Sequence, residues 1–535
     1  MFLLFCLTFS TITFISLLIT FIWFSSTLNP IKNRPPSPRK LPIIGNLHQL
    51  GSNPHRALQT ITNKHGPLVL IHLGSVPVLV ASSAETACAI LKTHDLIFAS
   101  RPKLSIPDTL TYGSKNIAFA PYGEHWRRVR SIAVLQLLSN KRVQSFRQVR
   151  EQETHVIIDE IGKSCGSVID LGELLNLLTN NVICRVALGR TYESKKFNDL
   201  LARFTYLIGC FSIGNYIPWL SWVDRVSGLE ARTKKVAKEF DEFLEGVLEE
   251  HVYKKTMMDG EGNRNDKGQD LLDILLDLQI ESNTSFMHRE VIKAGIMVRL
   301  FPFTLDHYTT GDLPVLLGYM LGHFVEVILI CVDLFAAGTD VTSTSIEWAI
   351  SELIRHPRVM KKLQKEVTEI ALGKPMITED DLEKMTYLHA VLKEALRLHT
   401  PAPLLISRES TQDVKLMGYD ISAGTQVIIN AWAIGRDPSQ WEEPEMFCPE
   451  RFLNNSIDYR GHNFEYIPFG AGRRGCPGIH FAIVVKELVL ANLVYKYDFA
   501  LPEEVKGEEL DMTEITGLVL RRKSPLLVVA TPHFD

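Results

Sequence analysis

The sequence predicts a mainly α (α+β) body with small β-sheets, preceded by one N-terminal transmembrane helix. Three observations carry that expectation. From about residue 120 onward the chain is dominated by long stretches of helical period. Short β-rich runs are confined mainly to residues 66–83 and 414–435. The first 31 residues contain no charged side chain and no histidine.

Taken in chain order, MFLLFCLTFSTITFISLLITFIWF is long enough for the roughly 20 apolar residues that cross a bilayer. It lacks the basic start and small-residue cleavage site of a removable signal peptide. IKNRPPSPRKLP follows, with Lys32, Arg34, Arg39 and Lys40 beside the span, and positive charge there marks the cytoplasmic side. The expected division is a membrane anchor at 1–29, a basic proline-rich linker at 30–44 and a catalytic domain at 45–535. The expected address is the endoplasmic reticulum membrane, with the body facing the cytosol.

GPLVLIHLGSVPVLVASS reads as strands broken at Gly74 and Pro77. IEWAISELIRHPRVMKKLQKEV reads as helix broken only at Pro357. ITEDDLEKMTYLHAVLKEALRLH opens with Thr378 and Asp381 in a capping-box pattern. VKLMGYDISAGTQVIINAWAIG reads as a second small sheet, and GIHFAIVVKELVLANLVYKY as a buried helix, apolar almost all round.

Lys and Arg number 57 against 61 Asp and Glu, a balance that gives no support to a nucleic-acid partner. The eight cysteines show no CxxC and no regular spacing, so neither a disulfide scaffold nor a structural zinc site is indicated. Cys476 stands apart. In FGAGRRGCPG it sits among glycines 470, 472, 475 and 478, next to Arg474, at the start of the C-terminal helix. Helix amides and nearby positive charge favour a thiolate. The glycines allow close approach of a flat partner, and Arg474 can reach an anionic group on it. One thiolate leaves a bare zinc three ligands short, whereas a haem needs a single axial ligand. A buried structural cysteine is the competing reading.

FGAGRRGCPG, Phe469 to Gly478, resembles the FxxGxRxCxG signature of the cytochrome P-450 haem-thiolate family at every fixed position. KEALR is similar to that family's ExxR helix and PERF to its arginine segment, which implies a buried network of Glu394, Arg397 and Arg451. WRRVR resembles the WxxxR helix, which implies Trp126 and Arg130 at a haem propionate, with Arg408 of LLISRES as a further partner. The phrasing of PPSPRKLPIIGNLHQL resembles the plant microsomal branch, in particular its 71-type clan.

The resemblance covers nearly the whole body and implies the cytochrome P-450 fold. Cys476 is then the iron ligand of heme b (iron protoporphyrin IX), with Trp126, Arg130, Arg408, Arg474, Phe469, Gly470 and Gly478 as cofactor contacts. The implied activity is monooxygenation of a small apolar plant secondary metabolite, terpenoid or phenylpropanoid-like. The implied electron source is NADPH, through NADPH–cytochrome P-450 reductase. Arg127, Arg128, Lys141 and Arg142 form either a docking face for it or a solvated helix face. Expected substrate contacts are Ala336, Ala337, Leu405 and Ile406, with the segments Lys103 to Tyr112, Phe211 to Trp219, Pro403 to Ile406 and Gly517 to Leu518.

LFAAGTDVTSTSIEW resembles the central helix above the haem, where Ala336, Ala337 and Gly338 leave room for oxygen and substrate and the glycine permits a kink. The family pairs an acid with a following hydroxyl to relay protons. Asp340 supplies the acid, but Val341 occupies the hydroxyl's position. Thr342, the nearest hydroxyl downstream, is turned by about 100° around the helix. Three readings stand: a water or substrate hydroxyl completes the relay, oxygen activation is poorly coupled, or the enzyme is a haem-thiolate isomerase or dehydratase. Residues 295–327 resemble nothing in the family and read as a retained intron or a lineage-specific loop. A retained intron would leave a non-functional splice product as a further alternative.

Overall fold

Residues 66–83 fold as a hairpin whose turn is set by Gly74, at φ +59° in the left-handed region where glycine costs least. The computed structural model describes residues 33–192, 195–258, 270–275, 329–515 and 517–533, with a few positions between 10 and 20. The expected anchor and the segment 295–327 lie almost wholly or wholly outside the described residues. The few anchor positions described are helical and exposed, Phe14 and Leu17 among them.

The hairpin strands β1 (Leu68–Leu73) and β2 (Val76–Ala81) pair antiparallel in one unbroken ladder. Pro77 does not break β2 as the sequence suggested. It sits opposite His72, ahead of the stretch Val78–Ala81 that pairs on the strand's other edge, so its missing N–H interrupts nothing there. The partner on that other edge is β7 (Gln426–Ile429), which runs parallel to β2 and is followed by β4 (Arg408–Glu409). The run 414–435 is therefore split rather than forming a sheet of its own. Only β5 (Val414–Leu416) and β6 (Tyr419–Ile421) pair with each other, while β7 completes the N-terminal sheet. A second sheet joins β3 (Val168–Asp170), β11 (Leu527–Pro532) and β8 (Tyr497–Ala500), and β9 (Glu514–Ile515) pairs with β10 (Arg521–Arg522).

The rest is helix, packed in layers around one long central element. Leu329–Arg355 is the one helix among the described residues long and apolar enough to cross a membrane, and 67% of its apolar window is buried inside the fold. It is the core helix of the body. Its main part, Asp340–Arg355, packs against helices Leu171–Leu188, Thr386–Leu398 and Ile479–Lys496. Trp348 is fully buried, stacks on His399 at 4.1 Å between ring centres, and donates Nε1–H to the Leu520 carbonyl at 3.1 Å.

The C-terminal helix is buried nearly all round, as its composition predicted. Leu488, Val489, Leu490, Leu493 and Val494 are fully enclosed. Each such side chain contributes about 1.5–3 kcal/mol of burial free energy. The Thr378 capping box forms, with Asp381 accepting from the Thr378 N–H at 3.1 Å and its hydroxyl at 2.9 Å. The helix it opens, however, is only Glu379–Leu382, and a separate helix, Thr386–Leu398, carries the remainder of that stretch. The break at Pro357 is where expected, between Asp340–Arg355 and Pro357–Ala371.

Candidate active site

Cys476 lies two residues before the cap of Ile479–Lys496, and its backbone N–H donates to the Phe469 carbonyl at 3.0 Å. That bond closes the loop FGAGRRGC on itself. The loop depends on glycine chiefly at Gly472, which has φ +67°; a Cβ there would lie 2.2 Å from the Leu91 carbonyl oxygen. Gly470 also adopts a positive φ, +68°, whereas Gly478 does not and lies with its would-be Cβ 4.0 Å from the Cys476 sulfur. Burial pushes the Cys476 thiol up, while the Gly478 N–H, Lys486 and Arg130 pull it down toward thiolate.

Four guanidinium groups gather beside this loop. Arg130 donates to the Gly475 carbonyl at 2.8 Å and lies over the Trp126 ring. Arg408 donates to the Ala471 carbonyl at 3.2 Å, and Arg474 to those of Ala99 at 2.7 Å, Ile117 and Ala120. Arg101, which the sequence reading missed, donates to the carbonyls of Ala118 and Ser407, each at 2.9 Å, and of Ile406. Its only sequence signal was an arginine followed by proline in FASRP. None of the four is ion-paired to a carboxylate among the described residues. Burial lowers all four, and repulsion by neighbouring arginines adds to it at Arg408, lowered to about 10, and Arg474, lowered to about 9. Arg101 falls well below its usual value for the same two reasons, repelled by Arg408, Arg474 and Arg130. So many buried like charges call for a shared anion. The propionates of a haem bound here would supply that charge, so this donor set fits the group.

Behind the loop, Arg397 holds Glu394 bidentately at 2.7 and 2.8 Å, with both side chains fully buried. Arg397 also donates to the carbonyls of Gly435, Pro444 and Met446. Glu394 accepts in addition from the Cys448 N–H at 2.8 Å and from Arg451 at 3.0 Å. The three residues read from KEALR and PERF thus meet in one saturated network, the condition under which a buried ion pair holds.

On the facing side, the central helix is interrupted at Thr339, φ −81° and ψ −72°, next to Gly338. A Cβ at Gly338 would lie 2.6 Å from Ile183 Cδ1, the far end of a side chain on the neighbouring helix. Ala337 is the only exposed residue of Leu329–Arg355, and Ala336 and Val341 are half-buried. Thr342 is buried, 4% exposed, so the nearest downstream hydroxyl is not on the open side. Asp340 is buried too. It accepts from Asn176 Nδ2 at 3.2 Å and is ion-paired with Arg521 of β10, neither of which the sequence reading singled out.

One turn before Ala337, Asp333 accepts from Asn116 Nδ2 at 2.6 Å and from the Ile117 N–H at 2.7 Å, and burial pushes its carboxyl up to about 7. The same short segment gives the Ile117 carbonyl to Trp126 Nε1 at 3.0 Å and to Arg474. Trp126 and Arg474 therefore meet through this loop. Two of the expected substrate segments are stitched together, the Ser105 N–H donating to Asn215 Oδ1 at 3.0 Å, while Gly517–Leu518 lies against Gly209, just ahead of the second. Leu405 adopts φ +51°, a left-handed conformation costly for leucine, with its side chain beside Gly470; Ile406 is half-buried.

Comparison with known proteins agrees with this arrangement. The family model "Cytochrome P450" matches residues 35–301 and 323–529. A 3-beta-hydroxylase of Tanacetum parthenium is 52% identical, over 99% of this chain and 98% of its own. Cytochrome P450 71A4 of Solanum melongena is 53% identical over 93% and 92%, and psoralen synthase of Ammi majus 46% over 96% and 95%. A zebrafish cytochrome P450 structure with progesterone superimposes with TM-score 0.69 at 26% identity, covering 90% of this chain and 99% of that one. The chain belongs to the cytochrome P450 family, as a plant member of the 71 clan. It is a haem-thiolate monooxygenase supplied with electrons from NADPH through a reductase. A hydroxylase and an oxidase among its relatives favour oxygen chemistry over the isomerase or dehydratase alternative.

Proposed function

We propose that Cys476 is the thiolate ligand of heme b and that Trp126, Arg130, Arg408 and Arg474, with Arg101, hold its propionates. The observation that carries this reading is the cluster of buried guanidiniums without a carboxylate partner, beside a lone thiol at a helix start. Phe469, Gly470 and Gly478 form the floor on which the ring lies. Glu394, Arg397 and Arg451 keep the cysteine loop in register from behind. Bound there, the haem supplies O2 activation and insertion of one oxygen atom into substrate.

The chain's own residues do the rest. Ala336, Ala337, Val341, Leu405 and Ile406 offer an apolar wall to a small secondary metabolite, terpenoid or phenylpropanoid-like. Psoralen synthase and norfluorocurarine oxidase, by their names, act within plant secondary metabolism. Asp340 is the proton-relay carboxylate, held by Arg521 and Asn176. Arg521 is 41% exposed, so turning away from it would bring the carboxylate toward water. With Val341 in place of a hydroxyl and Thr342 buried, water or a substrate hydroxyl completes the relay.

The body is tethered by the anchor at 1–29 to the endoplasmic reticulum membrane and faces the cytosol. NADPH–cytochrome P-450 reductase is its electron donor. Arg127, Arg128 and Lys141 are exposed on the cysteine side and suit an acidic partner face. Residues 295–327 are a retained intron in this reading. The family match breaks off between residues 301 and 323, inside this segment, which supports an insertion there; transcripts that all carry the segment would refute the intron.

The test of the whole reading is the carbon monoxide difference spectrum of the reduced full-length protein, followed by product formation with NADPH and reductase. A strongly red-shifted Soret band is expected. Its absence from haem-loaded protein would overturn Cys476 as the ligand.

A further inference from the structure

Lys486 lies near the middle of helix Ile479–Lys496, is 0% exposed, and its Nζ has no hydrogen-bond partner. An ammonium in that position is costly unless an opposite charge or a polar surface compensates it. Two features do so. The Nζ lies 5.1 Å from the centre of the Phe469 ring, whose π-face attracts a cation. The second is Cys476, whose negative charge as a thiolate favours the ammonium.

The geometry follows from helix direction. Lys486 stands about two turns, or roughly 10 Å, along the helix from its start. Side chains in a helix lean back toward its N-terminus, so its stem runs toward the cysteine loop. It ends under Phe469, the residue whose carbonyl accepts the Cys476 N–H at 3.0 Å. Its sequence neighbour Glu487 is engaged elsewhere, with His389 at 3.1 Å. Burial pushes the Lys486 ammonium down to about 7, and the Cys476 charge acts in the opposite direction.

We infer that Lys486 is a positioning residue for the reaction: a buried cation beneath the Cys476 thiolate that sets how readily the haem iron takes its first electron. Reduction of ferric to ferrous iron adds one negative charge to a site already holding the thiolate. A positive charge on the thiolate side favours the reduced state and draws electron density from the sulfur. The assignment rests on Cys476 being the ligand, as proposed above.

The experiment uses full-length, haem-loaded protein in three forms: wild type, Lys486→Met and Lys486→Arg. Spectroelectrochemical titration reads the ferric–ferrous midpoint potential of each. The neutral variant is expected to show about a tenfold lower ferrous-to-ferric ratio at a fixed electrode potential, which is 59 mV for a one-electron couple. Lys486→Arg is expected to keep the wild-type value. An unchanged potential in Lys486→Met, or an equal drop in Lys486→Arg, would overturn the inference and leave packing as the role of the side chain. If Lys486→Met holds no haem, Lys486→Gln takes its place. Loss of haem by both neutral variants would equally refute a tuning role. A wild type lacking the red-shifted carbon monoxide band would instead defeat the thiolate assignment itself, so the two failures are distinct.

Discussion

The cysteine side and the central-helix side of the site are built on opposite principles. On the cysteine side the groups that support the loop are committed: Glu394 to Arg397, Arg451 and the Cys448 N–H, and the loop to itself through Cys476 and Phe469. On the central-helix side the groups are fewer and their ties looser. The helix is interrupted at Thr339, Ala337 is exposed, and Asp340 is shared between Asn176 and a partly exposed arginine. Saturated contacts surround the sulfur proposed to hold the iron, and looser ones surround the side proposed for substrate and oxygen. Substitutions on the first side should therefore abolish the protein or its spectrum, and those on the second should change rates.

The largest effect is expected from Cys476→Ser, which removes the thiolate while leaving the loop's backbone bond. The red-shifted carbon monoxide band should vanish entirely and monooxygenase turnover with it; a retained band would break the contrast at its centre. Next comes Arg397→Ala, which leaves Glu394 buried without its bidentate partner. The expected loss is about 3–5 kcal/mol of stability, read by thermal or denaturant unfolding of the haem-loaded protein.

On the open side the effects should be kinetic. Asp340→Asn keeps the shape but loses the proton carrier and the ion pair with Arg521. A fall of roughly 100-fold in turnover is expected, at the low end of what a positioned acid or base supplies. Its carbon monoxide spectrum should be unchanged, and a lost spectrum would show that Asp340 is structural. The smallest effect is expected from Val341→Thr, which restores a hydroxyl beside Asp340. Because water or a substrate hydroxyl already completes the relay, product formed per NADPH should change by less than about twofold, short of the roughly fivefold that one added hydrogen bond of about 1 kcal/mol could give. A several-fold rise would show that the relay lacks its hydroxyl.

The same contrast explains what the sequence disclosed. The cysteine side was legible because its chemistry is local and its spacing rigid. FGAGRRGCPG, KEALR and PERF each carry their own signature, and the structure joins the last two through a network that spacing alone could not have measured. Arg101 was missed because its role depends on carbonyls of Ala118, Ile406 and Ser407, two of them about 300 residues away in the chain. Arg521 and Asn176 were missed for the same reason: a partner for Asp340 has no local pattern. Pro77 misled because a strand's tolerance of proline is set by which edge is paired, and the pairing strand is distant in sequence.

The parallel ladder between Val78–Ala81 and Gln426–Ile429 has a consequence for how the protein is made. The N-terminal hairpin can form early, but its open edge waits for a strand encoded about 350 residues later, a delay of roughly 20–70 seconds at about 5–20 residues per second on a ribosome. Throughout that interval a Val- and Leu-rich edge stands unpaired, the kind of surface that recruits other nascent chains. The arginine cluster is equally incomplete until Arg408 and Arg474 emerge. Haem is therefore captured late, by a nearly finished chain. Messages truncated before Gln426 should yield aggregate rather than an apoprotein awaiting its prosthetic group.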